Sequence, residues 1–124
     1  MTKNVFINIS NHPSSLWGEK QRKEAEKFGD ITDIPFPAIP SDAPEKYIDE
    51  KVREYYEKIT EYSPECVMCE GEFTFTYGLV TKLRDDGIKV VAACSEREVE
   101  EYTDTDGVSQ KNTIFKFVRF REYK

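Results

Sequence analysis

Apolar positions recur along this chain in two rhythms, one of period two and one of period three to four. Asn4-Val5-Phe6-Ile7-Asn8-Ile9 is an apolar, β-branched run and predicts a first strand. From about Ser15 to Phe28 the rhythm is helical, with Trp17, Gln21, Ala25 and Phe28 on one face and Lys, Arg and Glu on the others. Gly29 is placed to end that helix. Ile31-Thr32-Asp33-Ile34 predicts a short second strand, and Pro35, Pro37 and Pro40 a stiff, extended loop. Ser41 or Asp42 is expected to cap a second helix with Pro44 near its first turn. The apolar face of that helix is Ile48, Val52, Tyr55, Tyr56, Ile59 and Tyr62. Pro64 breaks the pattern, and Glu65-Cys66-Val67-Met68-Cys69 reads as a buried third strand. Phe73 to Asp85 fits both periods: Phe73, Phe75 and Tyr77 alternate, while Phe73, Tyr77, Val80 and Leu83 lie one helical turn apart. Gly87 closes the segment as a C-cap would, which favours the helix. Ile88 to Cys94 predicts a fourth strand. Beyond it, Arg97–Thr103 and Asn112–Phe120 predict two antiparallel strands around a loop containing Asp106-Gly107.

The order βαβαβαβ followed by ββ defines an α/β protein. Its expected fold is a Rossmann-like, mainly parallel sheet with helices on both faces and a C-terminal antiparallel hairpin. At 124 residues the chain forms one such domain, spanning 1–124, and can bury a core without staples. Trp17, Phe28, Val52, Ile59, Val67, Val80, Leu83 and Val91 are the expected core. No repeat, low-complexity tract or interdomain linker interrupts the pattern.

Charge narrows the partners. A formal net charge of −6 argues against sequence-independent binding of duplex nucleic acid, which relies on many Lys and Arg contacts to phosphate. It leaves room for a small anion in a locally positive pocket. No apolar run approaches a membrane span, and Met1-Thr2-Lys3-Asn4 has no signal-peptide character. The three cysteines, Cys66, Cys69 and Cys94, are therefore expected as free, reduced thiols of a cytoplasmic protein.

In an open α/β sheet, ligands bind beyond the carboxyl ends of the strands. Three segments qualify: Ser10–Ser15, Glu70–Thr76 and Ser95–Arg97. The first, Ser10-Asn11-His12-Pro13-Ser14-Ser15, leads from a strand into a helix, so its free N–H groups and the Ser14 and Ser15 hydroxyls could cradle a phosphate. His12, the sole histidine, could transfer a proton near neutral pH. Equally, Asn11, Ser14 and Ser15 could simply cap the helix. In the second segment Glu70 and Glu72 could act as a carboxylate pair or merely face a helix dipole. Gly71 implies a tight backbone, and Thr74 and Thr76 could turn hydroxyls toward a ligand. In the third, Ser95 precedes Arg97, whose guanidinium suits a phosphate, unless it is only a surface partner of Glu96 or Glu98. Arg119 and Arg121 read as a solvated edge. Cys66-x-x-Cys69 is expected to hold no metal, because residues three apart on a strand point to opposite faces and only Cys94 and His12 remain as further ligands. Neither GxGxxG nor GxxxxGK[ST] is present, and no cofactor is expected.

The opening strand ending in Asn8-Ile9-Ser10-Asn11-His12-Pro13, followed by a helix, resembles that of small CRISPR-associated Rossmann-like (CARF-type) accessory proteins. The resemblance covers about ten residues and the general layout. It implies a metal-independent ring nuclease that binds and cleaves a cyclic oligoadenylate second messenger in antiviral defence, with the ligand held across the twofold axis of a homodimer. A ribose 2′-hydroxyl would attack the adjacent phosphate while the protein positions it and stabilises charge. His12 would lie at the phosphate, Ser14 and the Ser15 backbone would hold its oxygens, and Arg97 would stabilise developing charge. Two other readings stand beside this one: a nucleotide-sensing module without turnover, and a nucleoside or glycosyl-transfer enzyme using Glu70 or Glu72. A protein-interaction domain with no ligand is a fourth.

Overall fold

The computed structural model describes residues 4–124. Met1–Lys3, on which the reading of the N-terminus partly rests, lie outside them. Five strands form one sheet: β1 (Val5–Ile9), β2 (Asp30–Asp33), β3 (Cys66–Cys69), β4 (Val90–Thr103) and β5 (Ser109–Glu122). Three helices connect them: α1 (Glu19–Glu26), α2 (Glu45–Glu61) and α3 (Phe73–Asp85). The sheet order is β2-β1-β3-β4-β5. The first four strands are mutually parallel, and β5 runs antiparallel to β4.

The central strands are apolar throughout because both faces are covered. On β1, Ile7 and Ile9 face a core shared with Val52, Ile59, Phe75, Leu79 and Leu83 of α2 and α3. Phe6 turns to the other side, where it meets Ala25 of α1, Met68, Val91, Trp17 and Phe28. On β3 the same alternation sends Val67 and Cys69 into the first core and Cys66 and Met68 into the second. Cys66 and Cys69 thus sit on opposite faces of the sheet, all three cysteines are free, and no metal-binding cluster of His, Cys, Asp and Glu occurs among the described residues. Of the expected core, Trp17 and Phe28 are half-buried and the other six are buried. Among the described residues no helix is long and apolar enough to cross a membrane.

Three local expectations change. The segment expected as one helix from Ser15 to Phe28 is broken. Ser14–Leu16 forms a 3-10 turn, Trp17 is extended, and α1 begins only after Gly18. The extended Trp17 lays its ring edge-on against Phe6 at 6.2 Å, and its indole N–H donates to the His12 carbonyl at 3.1 Å. Gly29 is not a helical C-cap but a point of backbone contact: at φ 152° a Cβ there would lie 2.3 Å from the Asn4 carbonyl. Helix α2 starts one turn later than expected, with Pro44 rather than Ser41 or Asp42 at its N-cap.

The fourth strand changes most. It does not end at Cys94. β4 runs on through a bulge at Cys94/Ser95 to Thr103, paired with β5 as far as Ser109. Ser95-Glu96-Arg97 is therefore strand, and no loop follows a fourth strand there. Only Val90 and Val91 of β4 pair with β3, at Val67 and Met68. Most of the β4–β5 ribbon consequently projects from the parallel sheet as an arm.

Candidate functional site

The polypeptide reverses its strand order between β1 and β3: β2 lies to one side of β1, and the next strand in sequence, β3, to the other. At such a point the connections leave in opposite directions and a crevice opens beyond the carboxyl ends of the two strands. His12 follows β1, and Glu70 follows β3. Both line a cleft of about 800 Å³, which the N-terminal turn of α1 and the base of the β4–β5 arm complete.

His12 is held through its backbone. The buried Asn8 amide donates to the His12 carbonyl at 2.9 Å and to the Asp33 carboxylate at 2.9 Å. The Ser10 hydroxyl donates to the Asn8 side-chain oxygen at 2.7 Å, and the His12 N–H donates to that same hydroxyl at 3.2 Å. With the Trp17 indole also on the His12 carbonyl, the loop is fixed while the imidazole stays exposed on the cleft. Asn8 and Ser10, buried and mutually bonded, thus serve the loop's geometry.

The same network corrects the expected phosphate cradle. The Ser14 N–H donates to Asp33 Oδ2 at 3.2 Å and the Ser14 hydroxyl to the same oxygen at 2.9 Å. An internal carboxylate holds the donors expected for a phosphate, so Ser14 is committed to the fold. Ser15 and Asn11 are exposed, and neither lines the cleft. The helix end that does face the cleft is that of α1. Its N-cap, Gly18, offers no side-chain acceptor, so the first-turn N–H groups have no side-chain cap. Gly18, Lys20 and Gln21 line the cleft at that end.

On the β3 side the two glutamates part company. Glu72 is the N-cap of α3: its carboxylate accepts from the Thr74 N–H (2.9 Å), the Thr74 hydroxyl (2.7 Å) and the Phe75 N–H (2.9 Å). The Thr74 hydroxyl bond, then the two N–H bonds, hold the Glu72 carboxyl below its ordinary range. Glu72 and Thr74 are spent on this cap and do not line the cleft. Gly71 packs against Phe36, whose ring a Cβ would meet at 2.3 Å. The Thr76 hydroxyl is buried beside the Cys69 thiol, where it opposes the burial that pushes that thiol up to about 12. Gly71 and Thr74 therefore serve the fold, and Thr76 is buried within α3, away from the cleft.

Glu70 differs. It is half-buried, its carboxylate accepts the Ala93 N–H, and burial raises its carboxyl above the ordinary value, with that bond and His12 opposing the rise. Behind it the Tyr123 hydroxyl donates to the Cys69 carbonyl at 2.8 Å, and burial pushes that phenol up to about 12. A raised carboxyl beside an imidazole, in a shared cleft, can carry a proton in either direction.

Ser95 lines the cleft from β4. Arg97 does not: it stands exposed one alternation further out on the arm, opposite Phe115. Among the described residues the cations that line the cleft are Lys20 on α1 and Lys116 on β5, the latter ion-paired to Glu98 at 2.8 Å, and its aromatic walls are Trp17, Phe115 and Phe117. None of these was expected at the site. The alternating Phe115-x-Phe117 was its available signal, but that signal places a site only once β5 is known to border the cleft.

Fold and site together define a doubly wound α/β protein with an aromatic-walled cleft at its switch point. The chain belongs to the family described as Uncharacterized protein MJ1673 family, whose profile matches residues 4–121. No curated protein sequence matches it.

Proposed function

We propose that the switch-point cleft binds a nucleotide through its phosphodiester backbone and cleaves it by internal attack of a ribose 2′-hydroxyl, with His12 and Glu70 as the proton-transferring pair. The observation that carries this reading is that an imidazole and a raised carboxyl share one cleft with two lysines and aromatic walls. Aromatic faces suit bases, at about 1–3 kcal/mol per stacked base. Lys20 and the uncapped turn of α1 suit phosphate oxygens, with Lys116, ion-paired to Glu98, at the rim of the cleft. In the reaction one member of the pair accepts the 2′-hydroxyl proton as the O2′–P bond forms. The other donates a proton to O5′ as the P–O5′ bond breaks, leaving a 2′,3′-cyclic phosphate and a 5′-hydroxyl.

A cyclic oligoadenylate is the ligand class that the N-terminal resemblance favours, as a ring nuclease of CRISPR antiviral signalling. Buried cysteines that would be kept as thiols suit a cytoplasmic setting. The charge-stabilising role first expected of Arg97 passes to Lys20, which lines the cleft. Of the alternatives, a nucleotide sensor would use the same cleft without turnover. Glycosyl transfer would rest on Glu70 alone, since Glu72 is committed to a helix cap.

The test is binding and turnover of cyclic tri-, tetra- and hexa-adenylate in EDTA by the wild type, His12→Ala and Glu70→Gln. Turnover by the wild type, lowered about 100-fold or more in each variant with binding largely retained, is the expected result. Binding without turnover would leave the sensor reading. No binding of any of the three at micromolar concentration would end the second-messenger reading.

A further inference from the structure

The face of α1 that packs on the sheet carries one residue that does not suit it. Ala25 is fully buried there, and Trp17 before the helix and Phe28 after it pack on the same core. Gln21 stands in that apolar stripe, half-buried, with its amide Nε2 donating to the Met68 sulfur at 3.8 Å. A thioether is a weak acceptor, and among the described residues the Gln21 amide oxygen accepts no bond. A leucine would complete the stripe at the loss of that one weak contact. A polar group set against its local pattern, with no partner of its own strength, marks a position kept for function.

Gln21 and Met68 both line the switch-point cleft, as Trp17 does. Other polar side chains of the cleft are engaged. Glu19 pairs with Lys23 at 2.8 Å, Lys116 pairs with Glu98, and Glu70 accepts the Ala93 N–H. The Gln21 carboxamide offers a donor and an acceptor side by side, and neither is held by a strong partner. Its complement is a flat group with an acceptor beside a donor. Among the purines adenine has this arrangement on both of its edges, the 6-amino group lying between N1 and N7. The N7 edge of guanine shows two acceptors instead.

We propose that Gln21 reads the base of a nucleotide in the cleft, its amide pairing with the 6-amino group and an adjacent ring nitrogen of adenine. The proposal rests on the nucleotide-binding reading of the cleft and adds the residue that sets its base preference. The probes are AMP, GMP and purine riboside 5′-monophosphate, which is AMP without its 6-amino group. Each is titrated to millimolar concentration into the wild type, Gln21→Leu and Gln21→Glu by calorimetry, and each chain is melted without ligand. The wild type should bind AMP about tenfold more tightly than purine riboside monophosphate, as a bidentate pair to the base predicts. Gln21→Leu should bind the two equally and melt no lower than the wild type, because it completes the apolar stripe. Gln21→Glu offers acceptors only, so it should favour GMP, whose N1–H and 2-amino groups are both donors. A wild type that binds AMP and purine riboside monophosphate alike, or a Gln21→Leu chain that keeps the preference for AMP, overturns the proposal and leaves the cleft a nucleotide site. A Gln21→Leu chain that melts well below the wild type also overturns it, because the amide then serves the fold. A wild type that binds none of the three ends the nucleotide reading and this proposal together.

Discussion

Glu70 is the residue at which stability and proposed chemistry pull apart. Its carboxylate is half-buried and raised by that burial, so ionising it costs the folded state. The sign follows from linkage. A carboxyl whose folded value lies above its unfolded value binds more protons when folded, so stability falls as pH rises from about 4.5 through the folded value. Glu70→Gln keeps an acceptor for the Ala93 N–H and removes the charge. It should therefore raise the melting temperature at pH 7, and the gain should vanish at pH 4, as thermal denaturation at the two values would show. A variant that gains stability while losing turnover marks a residue kept for chemistry rather than for packing. At this scale the sequence indicated part of the site. His12 and Glu70 could be named because each directly follows an apolar strand. Asp33 could not be seen as the occupant of the Ser14 donors, because it arrives from the end of β2, nineteen residues along. Glu72 reads in sequence more as a partner of a helix dipole than as a catalytic acid, and its bonds to the Thr74 and Phe75 N–H groups make it the cap of α3.

Elements were legible where burial and period agree. Helix α2 shows its whole apolar face in sequence, and α3, ambiguous by period, is fixed as a helix by its Glu72 cap and by Leu79 and Leu83 beneath it. The cap predicts its own deletion: Glu72→Ala removes the acceptor of three hydrogen bonds and should cost about 1 kcal/mol in chemical denaturation, a loss that shrinks as pH falls below about 4.5, since the lowered carboxyl contributes only while ionised. Ile59→Ala, at a fully buried position between α2 and the sheet, should cost about 2–5 kcal/mol in the same measurement. Strand β4 was misread for a physical reason. Inside the sheet a parallel strand is apolar at every position, because both its faces are covered, whereas outside it the same strand becomes largely polar. The change of rhythm at Cys94 is where β4 leaves its cover, and it reads in sequence like a loop. That misreading hid β5 from the site, and with it Lys116, Phe115 and Phe117.

Over the whole molecule, β3 is the strand most fully enclosed, with β1 and β4 on its edges and helices on both faces. Its two cysteines report on that enclosure from opposite sides. Cys66 is fully buried against the α1 layer and Cys69 against the α2–α3 layer, and burial pushes both thiols up to about 12. Since the thiolate is the reactive species, neither should react with a disulfide reagent at pH 8 while the sheet is closed. Cys94, at the bulge where β4 leaves the sheet, is half-exposed. The native chain should therefore show one fast thiol, with the remaining two appearing only at the rate of unfolding, and all three reacting at once in denaturant. Protection of the two slow thiols should fall together when Ile59→Ala weakens one layer, because β3 is shared by both cores and cannot open on one face alone. Three fast thiols in the native protein would mean that the layers do not close over β3. Cys66 slow with Cys69 fast would mean that α2 and α3 separate from the sheet while α1 stays, and the cleft between His12 and Glu70 would then lack the rigid floor on which its geometry depends.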